Sequence, residues 1–386
     1  KGFSISDTIK SLQVETINRK EISKIGKIIP YGKHLVDEND IEAVSNVLRN
    51  GQLTQGPEIS NFERNIAAFV GAKYAVAVSS ATAGLHLAYL ALGLKPGYSV
   101  VTSPITFVST SNAALYCGGH AHFADIDPKN LNICPKELEY LLIKEKDISI
   151  VAPVHFAGTA DGMSEIFNIT RSHSKFIVED AAHSLGGKYN CGAYIGSCKY
   201  SDCTVFSLHP VKSIAAGEGG IITTNDEGIF KQLLRLRSHG INKGADNFVI
   251  SGEAITEEKI NPWYYEMQYL GYNYRITDIQ VALANSQLKK LISFQSHRRA
   301  LAKRYSEYFK NYKFASQAQL VDLNSSANHL FIILIDFHNL KITRANLMAF
   351  MQTAGIITQV HYIPVTMHPF YRAKGYAPNS CPLSVE

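Results

Sequence analysis

Apolar positions in the middle of the chain, from about residue 74 to residue 180, alternate between two kinds of segment. Short β-branched runs (YAVAVS, YSVVTS, HFADI, ISIVAPVHF and KFIVED) alternate with stretches of helical spacing (TAGLHLAYLALG, FVSTSNAALYCG, PKELEYLLIK and MSEIFNITRS). Strands that are separated by helices of this length are typical of βαβ units. The pattern therefore predicts an α/β fold with a mainly parallel sheet between helices.

The segments on either side of this alternation have different patterns. Two amphipathic helices are predicted before it, one from the N-cap Asp37 to Arg49 and one from Ile59 to Val70. From Ile276 onward two long helices are predicted (ITDIQVALANSQLKKLISF and SHRRALAKRYSEYFK). A strand (LFIILIDF), a helix (TRANLMAFMQTAG) and a second strand (IITQVHY) are predicted to follow. This last piece is typical of a small α+β domain.

The pattern divides the chain into three parts. Residues 1–29 are polar and mixed in charge, and we interpret them as an extension outside the main fold. A large domain is predicted over residues 30–290, and a small C-terminal domain over residues 291–386.

Composition narrows the class of protein. The chain has 386 residues, of which 46% are hydrophobic and 18% charged, as in ordinary globular proteins. The formal net charge of +5 comes from scattered lysines and arginines, so no basic stripe suggests a nucleic-acid partner. No apolar run is long enough to span a membrane, and the first residues do not resemble a secretory signal. We expect a cytoplasmic enzyme that acts on small molecules.

Common cofactor and metal motifs are missing from the sequence. It contains neither G-x-G-x-x-G after the first strand nor a P-loop, so dinucleotide and nucleotide-triphosphate folds are poorly supported. Six cysteines form no C-x-x-C pair. His120 and His122 are the closest histidine pair, but no H-E-x-x-H or carboxylate-rich partner accompanies them. No metal is expected.

The first candidate for chemistry is the segment SSATA at residues 79–83, where a strand ends and a helix begins. Free N–H groups at a helix N-terminus, together with the Thr82 hydroxyl, would suit a phosphate group. A threonine at this position is also an ordinary N-cap that needs no ligand. Both interpretations remain open on this segment alone.

Asp180 and Lys212 together are the second candidate for chemistry. Asp180 ends an apolar strand, at the edge of a parallel sheet where α/β proteins bind ligands. A carboxylate there can keep a pyridine nitrogen protonated, as pyridoxal 5'-phosphate requires, or it can cap the next segment. His183 follows it and could face such a ring or be a buried core histidine. Lys212 lies in the apolar segment TVFSLHPVKSIAAGEGG, and a half-buried lysine is suited to a Schiff base.

Taken together, these motifs resemble the DegT/StrS sugar-nucleotide aminotransferases, which are pyridoxal-phosphate enzymes of fold type I, the aspartate aminotransferase-like class. The resemblance covers residues 28–386 and includes IIPYGKHLVDENDIEAV, NGQLTQGPEISNFE, SPITFVSTSNAAL, FADIDPKNLNI and VHYIPV. Within the family, LTQG, RSHGI and PWYYEMQYLGYNYRITDIQ resemble the pseudaminic acid branch. That resemblance implies transfer of an amino group from L-glutamate to C4 of a UDP-4-keto-6-deoxy-N-acetylhexosamine.

The resemblance implies a role for each matching residue around the cofactor ring. Lys212 matches the lysine that binds the cofactor covalently and then transfers protons. Asp180 matches the partner of the pyridine nitrogen, and His183 matches the residue beside the ring oxygen. Phe107 matches the aromatic side chain that stacks on the ring.

The resemblance also implies a phosphate site and a shared active site. Thr82, Ala83 and Ser207 match the phosphate cradle. Asn273 matches a residue that reaches the phosphate from the neighbouring subunit, so a homodimer with shared active sites is expected.

The C-terminal part matches the family less completely. His361 and Tyr362 match a small-domain segment near the substrate. The sequence stops at CPLSVE, where relatives continue with a further strand and a terminal helix, so an incomplete small domain is expected. Residues 1–29 are not part of the family core.

Three alternative functions remain after this comparison of motifs. The first is an aminotransferase of the same family that acts on another nucleotide keto-sugar, for example of the UDP-N-acetylbacillosamine or perosamine type. The second is a deoxysugar dehydratase, which Lys212 disfavours because such relatives lack this lysine. The third is a non-catalytic regulator that binds pyridoxal phosphate, which intact Lys212, Asp180 and Ser207 disfavour.

Overall fold

A computed structural model describes residues 28–244, 248–257 and 259–386. The extension predicted over residues 1–29 therefore lies outside the described residues, except for its last two positions. One of these, Ile29, pairs with Ile356 in a single parallel bridge.

Helices and strands alternate through the first two thirds of the described chain. The helices are α1 (Glu38–Asn50), α2 (Pro57–Val70), α3 (Ala81–Ala91), α4 (Ser109–Tyr116), α5 (Pro135–Lys144), α6 (Met163–Ser172), α7 (Glu227–Arg237), α8 (Ser251–Ala254), α9 (Asp278–Leu288), α10 (Leu291–Phe309), α11 (Phe337–Leu340), α12 (Arg344–Thr353), α13 (Pro369–Ala373) and α14 (Pro382–Val385). The strands are β1 (Tyr74–Val78), β2 (Ser99–Thr102), β3 (His120–Phe123), β4 (Ile148–Ala152), β5 (Phe176–Asp180), β6 (Cys203–Ser207), β7 (Gly220–Thr224), β8 (Ile241–Asn242), β9 (Ile255–Thr256), β10 (Lys259–Ile260), β11 (Glu266–Met267), β12 (Ala315–Gln317) and β13 (Ile333–Ile335).

A seven-stranded sheet forms the centre of the fold, with strand order β1-β7-β6-β5-β4-β2-β3. The strands from β3 to β6 are parallel, while β7 runs antiparallel to both β6 and β1. The prediction of a mainly parallel α/β sheet is confirmed. The five strands and four helices predicted between residues 74 and 180 are all present, with ends shifted by a few residues.

Helices cover both faces of this sheet. One core combines Phe62 of α2 and Leu138 of α5 with strand residues such as Val151. The other combines Leu85 of α3 with strand residues such as Val78. Successive strand side chains point to opposite faces, so a sheet that is buried on both sides needs the near-continuous apolar runs seen in the sequence. The smaller pair β12–β13 forms a separate sheet in the C-terminal part, and the predicted domain boundary at residue 290 stays a prediction.

The boundary predicted between the two long helices was wrong. The sequence pattern continues the first helix to residue 294, but α9 ends at Leu288 and α10 begins at Leu291. Lys290 lies at the break, where its amine pairs with Asp37 at 2.9 Å and with the buried Asp40 at 2.6 Å. This contact with the start of the chain is tertiary, so the helical period does not reveal it.

The strand predicted for IITQVHY was also wrong. Only Ile356 pairs, through its isolated bridge to Ile29, and residues 357–364 have no strand structure. A segment with suitable side chains becomes a strand only if a neighbour supplies its hydrogen bonds. Within the described residues β13 pairs with β12 instead, and His361 and Tyr362 lie in an irregular segment.

The helix α7 and the short helices α8, α11, α13 and α14 were not predicted from the sequence. The helix α7 begins after Asp226, whose carboxylate accepts a hydrogen bond of 2.8 Å from the Ile229 N–H. An N-cap aspartate followed by an apolar stripe is a recognisable signal for this helix.

No helix in the described ranges has both the length and the apolar character needed to cross a membrane.

Candidate active site

The candidate site lies at the carboxyl end of the central strand β5. Asp180 is the last residue of this strand and is 4% exposed. Its Oδ2 accepts a hydrogen bond of 2.6 Å from the Thr110 hydroxyl, and its Oδ1 accepts one of 3.1 Å from the Ala182 N–H. The Thr106 hydroxyl lies 2.8 Å from that of Thr110. These contacts fix the orientation of the carboxylate.

Lys212 lies in the turn between β6 and β7. Its backbone N–H donates to the His209 carbonyl at 2.8 Å, and its side chain is mostly buried. Burial lowers the pKa of Lys212 to about 8, although the charge of Asp180 acts in the opposite direction. Within the described ranges its amine forms no ion pair. About a tenth of this amine is therefore uncharged and nucleophilic at pH 7, far more than for a lysine with the ordinary pKa.

His183 is buried beside these two residues and is neutral. Burial lowers its pKa well below the usual value, and the charges of Lys212 and His361 lower it further. Its Nδ1 lies 3.3 Å from the Ala157 N–H, which donates to it. The proton of the neutral ring is therefore on Nε2, which lies 3.3 Å from the Tyr362 hydroxyl. His183 presents a hydrogen-bond donor on that side.

The irregular segment that contains His361 and Tyr362 forms the next part of the site. The Tyr31 hydroxyl lies 2.7 Å from Nε2 of His361, and the two rings stack at 5.2 Å. Burial lowers the pKa of His361, and the charge of Lys212 lowers it further. The ring of Phe107, which is 60% exposed, lies 6.5 Å from that of Tyr362. Phe107 is thus an exposed aromatic side chain at the mouth of the site.

The predicted phosphate residues meet at the start of α3. Ser80 is the N-cap, since its hydroxyl accepts a hydrogen bond of 3.1 Å from the Ala83 N–H. The alternative interpretation of Thr82 as the N-cap was therefore wrong, and its hydroxyl has no hydrogen-bond partner in the described part of the chain. Ser207, at the end of β6, pairs with Gly220 of β7. A Cβ on Gly220 would lie 2.6 Å from the Ala81 nitrogen, so glycine brings these strands against the helix start.

Asn273 lies on the surface, and in the described part of the chain no hydrogen bond joins it to Asp180, Lys212 or His183. It is exposed, and its backbone forms an antiparallel bridge with Ser238. The neighbouring Tyr274 carbonyl accepts a hydrogen bond of 2.8 Å from the Ser79 N–H, next to the start of α3. The side chain of Asn273 thus occurs on a surface close to the predicted phosphate residues, and its predicted role across a subunit boundary stays a prediction.

The sequence analysis missed a buried polar cluster next to Asp180. The fully buried carboxylate of Glu179 accepts hydrogen bonds from Tyr189 at 2.7 Å and from Thr204 at 3.1 Å. His155 and Ser201 also bind it. Burial alone would raise the pKa of Glu179, but the charge of His155 and these hydrogen bonds hold it below the usual value. The motif V-E-D is the only signal: two successive acids on a buried strand must face opposite sides of the sheet.

The histidine pair considered as a metal site lies elsewhere. His120 is exposed, and Nε2 of His122 lies 3.3 Å from Asp147, with Glu145 nearby. This contact is a partly exposed hydrogen bond between an imidazole and a carboxylate.

A mainly parallel sheet with a mostly buried lysine and a hydrogen-bonded aspartate at its edge matches the architecture of fold type I aminotransferases. The chain belongs to the DegT/DnrJ/EryC1/StrS aminotransferase family, whose model matches residues 34–386. It is therefore an aminotransferase of a family of enzymes that depend on pyridoxal phosphate.

Individual relatives cover nearly the whole chain. The spore coat polysaccharide biosynthesis protein SpsC of Bacillus subtilis is 38% identical over 357 residues, which is 92% of this chain and 88% of that protein. The UDP-4-amino-4,6-dideoxy-N-acetyl-beta-L-altrosamine transaminase of Campylobacter jejuni is 36% identical over 346 residues, 89% of this chain and 86% of that protein. The structure of Helicobacter pylori PseC, an aminotransferase of pseudaminic acid biosynthesis, superimposes with a TM-score of 0.80 at 30% identity and covers 90% of this chain and 88% of that one.

The residues at this site fit pyridoxal phosphate. Lys212 has a mostly buried amine with a lowered pKa, and Asp180 has a carboxylate that is already oriented by two donors. Thr82 lies at the N-terminus of α3, where an anion is favoured, and its hydroxyl has no hydrogen-bond partner among the residues that the structure describes.

Proposed function

We propose that this aminotransferase transfers the amino group of L-glutamate to C4 of a UDP-4-keto-6-deoxy-N-acetylhexosamine. The observation that carries the amino transfer is a mostly buried lysine, Lys212, whose amine feels the charge of the oriented Asp180 at the carboxyl end of β5. The choice of sugar is supported by the 36% identity to the Campylobacter jejuni transaminase, whose name specifies a UDP-4-amino-4,6-dideoxy sugar.

Pyridoxal phosphate would be held by two groups of residues, one at its phosphate and one at its ring. Thr82, Ala83 and Ser207 would bind its phosphate, and Lys212 would bind it covalently. Asp180 would face its ring nitrogen, while His183 would donate its Nε2 proton to the ring oxygen and Phe107 would cover the ring face. When bound, the cofactor stores the amino group between the two half-reactions and withdraws electrons from the reacting carbon.

Lys212 is the group that moves the proton in each half-reaction. Its pKa of about 8 would let the amine accept a proton from the α-carbon of the donor. The same amine would then give a proton to the cofactor carbon that carries the transferred nitrogen. The hydrogen bonds from Thr110 and Ala182 orient the Asp180 carboxylate, which would stabilise a proton on the ring nitrogen of the cofactor. His361 and Tyr362 would contact the substrate from the side of the site opposite the sheet.

We also propose that the active form is a homodimer in which Asn273 reaches the phosphate site of the neighbouring subunit. Large apolar side chains near Asn273 in the chain are exposed in the single subunit: Trp263 is 72% exposed and Leu270 is 76% exposed. Such a surface is expected to be covered by a partner.

We place the reaction in the cytoplasm, an assignment that suits the six free cysteines.

A second candidate is amination of a different nucleotide keto-sugar. The identity to the Bacillus subtilis spore coat protein, 38%, is slightly higher than that to the transaminase, 36%. Both relatives cover a similar share of this chain, so sequence similarity alone does not separate the two sugars.

The test is product analysis with purified protein, pyridoxal phosphate and L-glutamate. UDP-4-keto-6-deoxy-N-acetylhexosamines of both C5 configurations are supplied separately, and the products are identified by NMR. A 4-amino product from one configuration supports the proposal, and Lys212→Ala must abolish it. If glutamate converts the yellow enzyme to its colourless amine form but neither sugar is aminated, the second candidate is favoured. If glutamate causes no change in absorbance, the proposal is wrong for the donor.

A further inference from the structure

His329 is a buried histidine beside the site for which no role has been described so far. It lies in the loop before β13 and is 8% exposed. Its ring packs against that of His183 with centroids 4.4 Å apart. Neither of its ring nitrogens has a hydrogen-bond partner among the residues described here. A buried polar group without a partner is costly, and native proteins tolerate it mainly where a ligand supplies the partner.

The backbone around His329 is firmly held, so a loose loop does not explain the unpaired ring. Its N–H donates to the Ala157 carbonyl at 2.9 Å, and the Ala327 N–H donates to the Gly158 carbonyl at 2.9 Å. On the other side, the guanidinium of Arg298 donates to the His329 carbonyl at 3.2 Å. The backbone that carries the ring is therefore held in a place where the ring nitrogens find no partner in the described part of the chain.

Basic side chains surround His329. Burial lowers its pKa well below the usual value, and the neighbouring His183, Lys212, Arg298 and His361 lower it further. Of these four, Arg298 carries a permanent positive charge. Arg298 is half-buried and forms no ion pair with a carboxylate in the described ranges. A guanidinium without a carboxylate partner, close to an imidazole without a hydrogen-bond partner, favours an anionic ligand.

We propose that His329 and Arg298 form the subsite that binds a carboxylate of the amino donor. This assignment rests on the proposed amino transfer. The donor carries a carboxylate on the carbon that loses its proton to Lys212. The keto-sugar carries its charge on the diphosphate, a sugar ring away from C4. An anion subsite that is close enough to interact with the charge of Lys212 therefore suits the donor rather than the sugar.

The test separates the two half-reactions by stopped-flow absorbance. The cofactor-loaded enzyme is mixed with L-glutamate, and the amine form of the enzyme is mixed with the keto-sugar. For His329→Gln and Arg298→Gln we expect the glutamate concentration at half-maximal rate to rise about tenfold or more, the loss expected for a charge-assisted hydrogen bond. The second half-reaction should stay within about twofold of the wild type, because the sugar does not use this subsite.

Arg299 provides a matched control on the same helix. It donates to the carbonyls of Leu323 and Asn324 in the same loop, at 3.3 Å and 3.2 Å. Arg299→Gln thus removes a comparable backbone contact but no group of the proposed subsite, and both half-reactions should keep their wild-type concentration dependence. Thermal unfolding of each variant, with His329→Asn as a second substitution, identifies variants that fail to fold.

Calorimetry gives a readout that does not depend on turnover. Glutarate, an unreactive dicarboxylate, should bind the purified wild-type and Arg299→Gln proteins, and it should bind His329→Gln and Arg298→Gln about tenfold or more weakly. If glutarate binds in this pattern but glutamate is not a donor, the subsite stands and the proposed function fails. Equal glutarate binding by all four proteins overturns the subsite. An equal loss in both half-reactions, or a loss confined to the sugar half-reaction, overturns it as well.

Discussion

The hydroxyl of Thr110 donates a hydrogen bond of 2.6 Å to Oδ2 of Asp180, from a helix that is 70 residues away in the chain. Thr110 lies in the first turn of α4 and is fully buried, so water does not compete for this bond. The second carboxylate oxygen accepts from the Ala182 N–H. Asp180 is thus held by one side chain and one backbone group before any ligand is present.

Replacing Thr110 tests how much this orientation contributes. Thr110→Val keeps the shape of the side chain but removes the donor, so the Asp180 carboxylate should lose part of its orientation and its hold on a ring proton should weaken. We expect the rate of the glutamate half-reaction to fall about tenfold, the effect of about 1.4 kcal/mol. Asp180→Asn, which removes the charge itself, should cause a larger loss with the cofactor still bound.

Ser111 serves as the control for this substitution. It is the next residue of α4 and is buried, but its hydroxyl bonds to Tyr371 at 2.7 Å and not to Asp180. Ser111→Ala should leave the half-reaction within about twofold of wild type. Equal rates for Thr110→Val and the wild type would show that the Thr110 bond does not matter for the reaction.

The lowered pKa of Lys212 predicts a pH dependence of stability in the cofactor-free protein. In the unfolded chain this amine has its ordinary pKa near 10.5, and in the folded chain about 8. Between these values the unfolded state binds more protons, so the free energy of unfolding should rise as the pH rises from about 8 to about 10.5. The contribution is on the order of 3 kcal/mol.

Lys212→Met is the comparison for this measurement. Methionine has a similar length but no charge, so the variant should lack this rise and should be more stable than the wild type below pH 8. Urea unfolding of both proteins across this range gives the difference directly. A difference in unfolding free energy that does not change with pH would contradict the lowered pKa.

The sequence predicted the two chemical groups of the site but not the side chains that orient them. Asp180 could be placed because ligands of α/β proteins bind at the carboxyl ends of parallel strands. Lys212 could be placed because a lysine in an apolar segment is unusual. Thr110 and His329 reach the site only through tertiary packing, which leaves no trace in helical or strand periodicity. The same reason explains the wrong helix boundary at Lys290, whose contacts with Asp37 and Asp40 join distant parts of the chain.

Glu179 should be a major contributor to stability. Its carboxylate is fully buried and binds four groups, among them His155. Glu179→Gln removes the charge that partners His155, so we expect a loss of about 3–5 kcal/mol in unfolding free energy. Tyr189→Phe removes only one hydroxyl, which is shared between the two carboxylate oxygens, and should cost about 1 kcal/mol. Urea unfolding at neutral pH measures both, and similar losses in the two variants would argue against an ionised Glu179.

Subunit mixing tests whether Asn273 acts across a subunit boundary. Lys212→Ala and Asn273→Trp, each inactive alone, are combined under conditions that exchange subunits. In a mixed dimer with shared sites, one site carries both defects and the other is intact. Activity should therefore return to about a quarter of the wild-type value, since half of the dimers are mixed and one of their two sites works.

A mixture of Lys212→Ala with Asp180→Asn is the negative control for this experiment. Both residues serve the site of their own chain: the charge of Asp180 acts on the Lys212 amine within one subunit. Neither site of that mixed dimer is intact, so no activity should return. If native mass spectrometry shows that Lys212→Ala and Asn273→Trp form mixed dimers and these stay inactive, Asn273 acts within its own subunit. The exposed surface around Trp263 would then need another explanation.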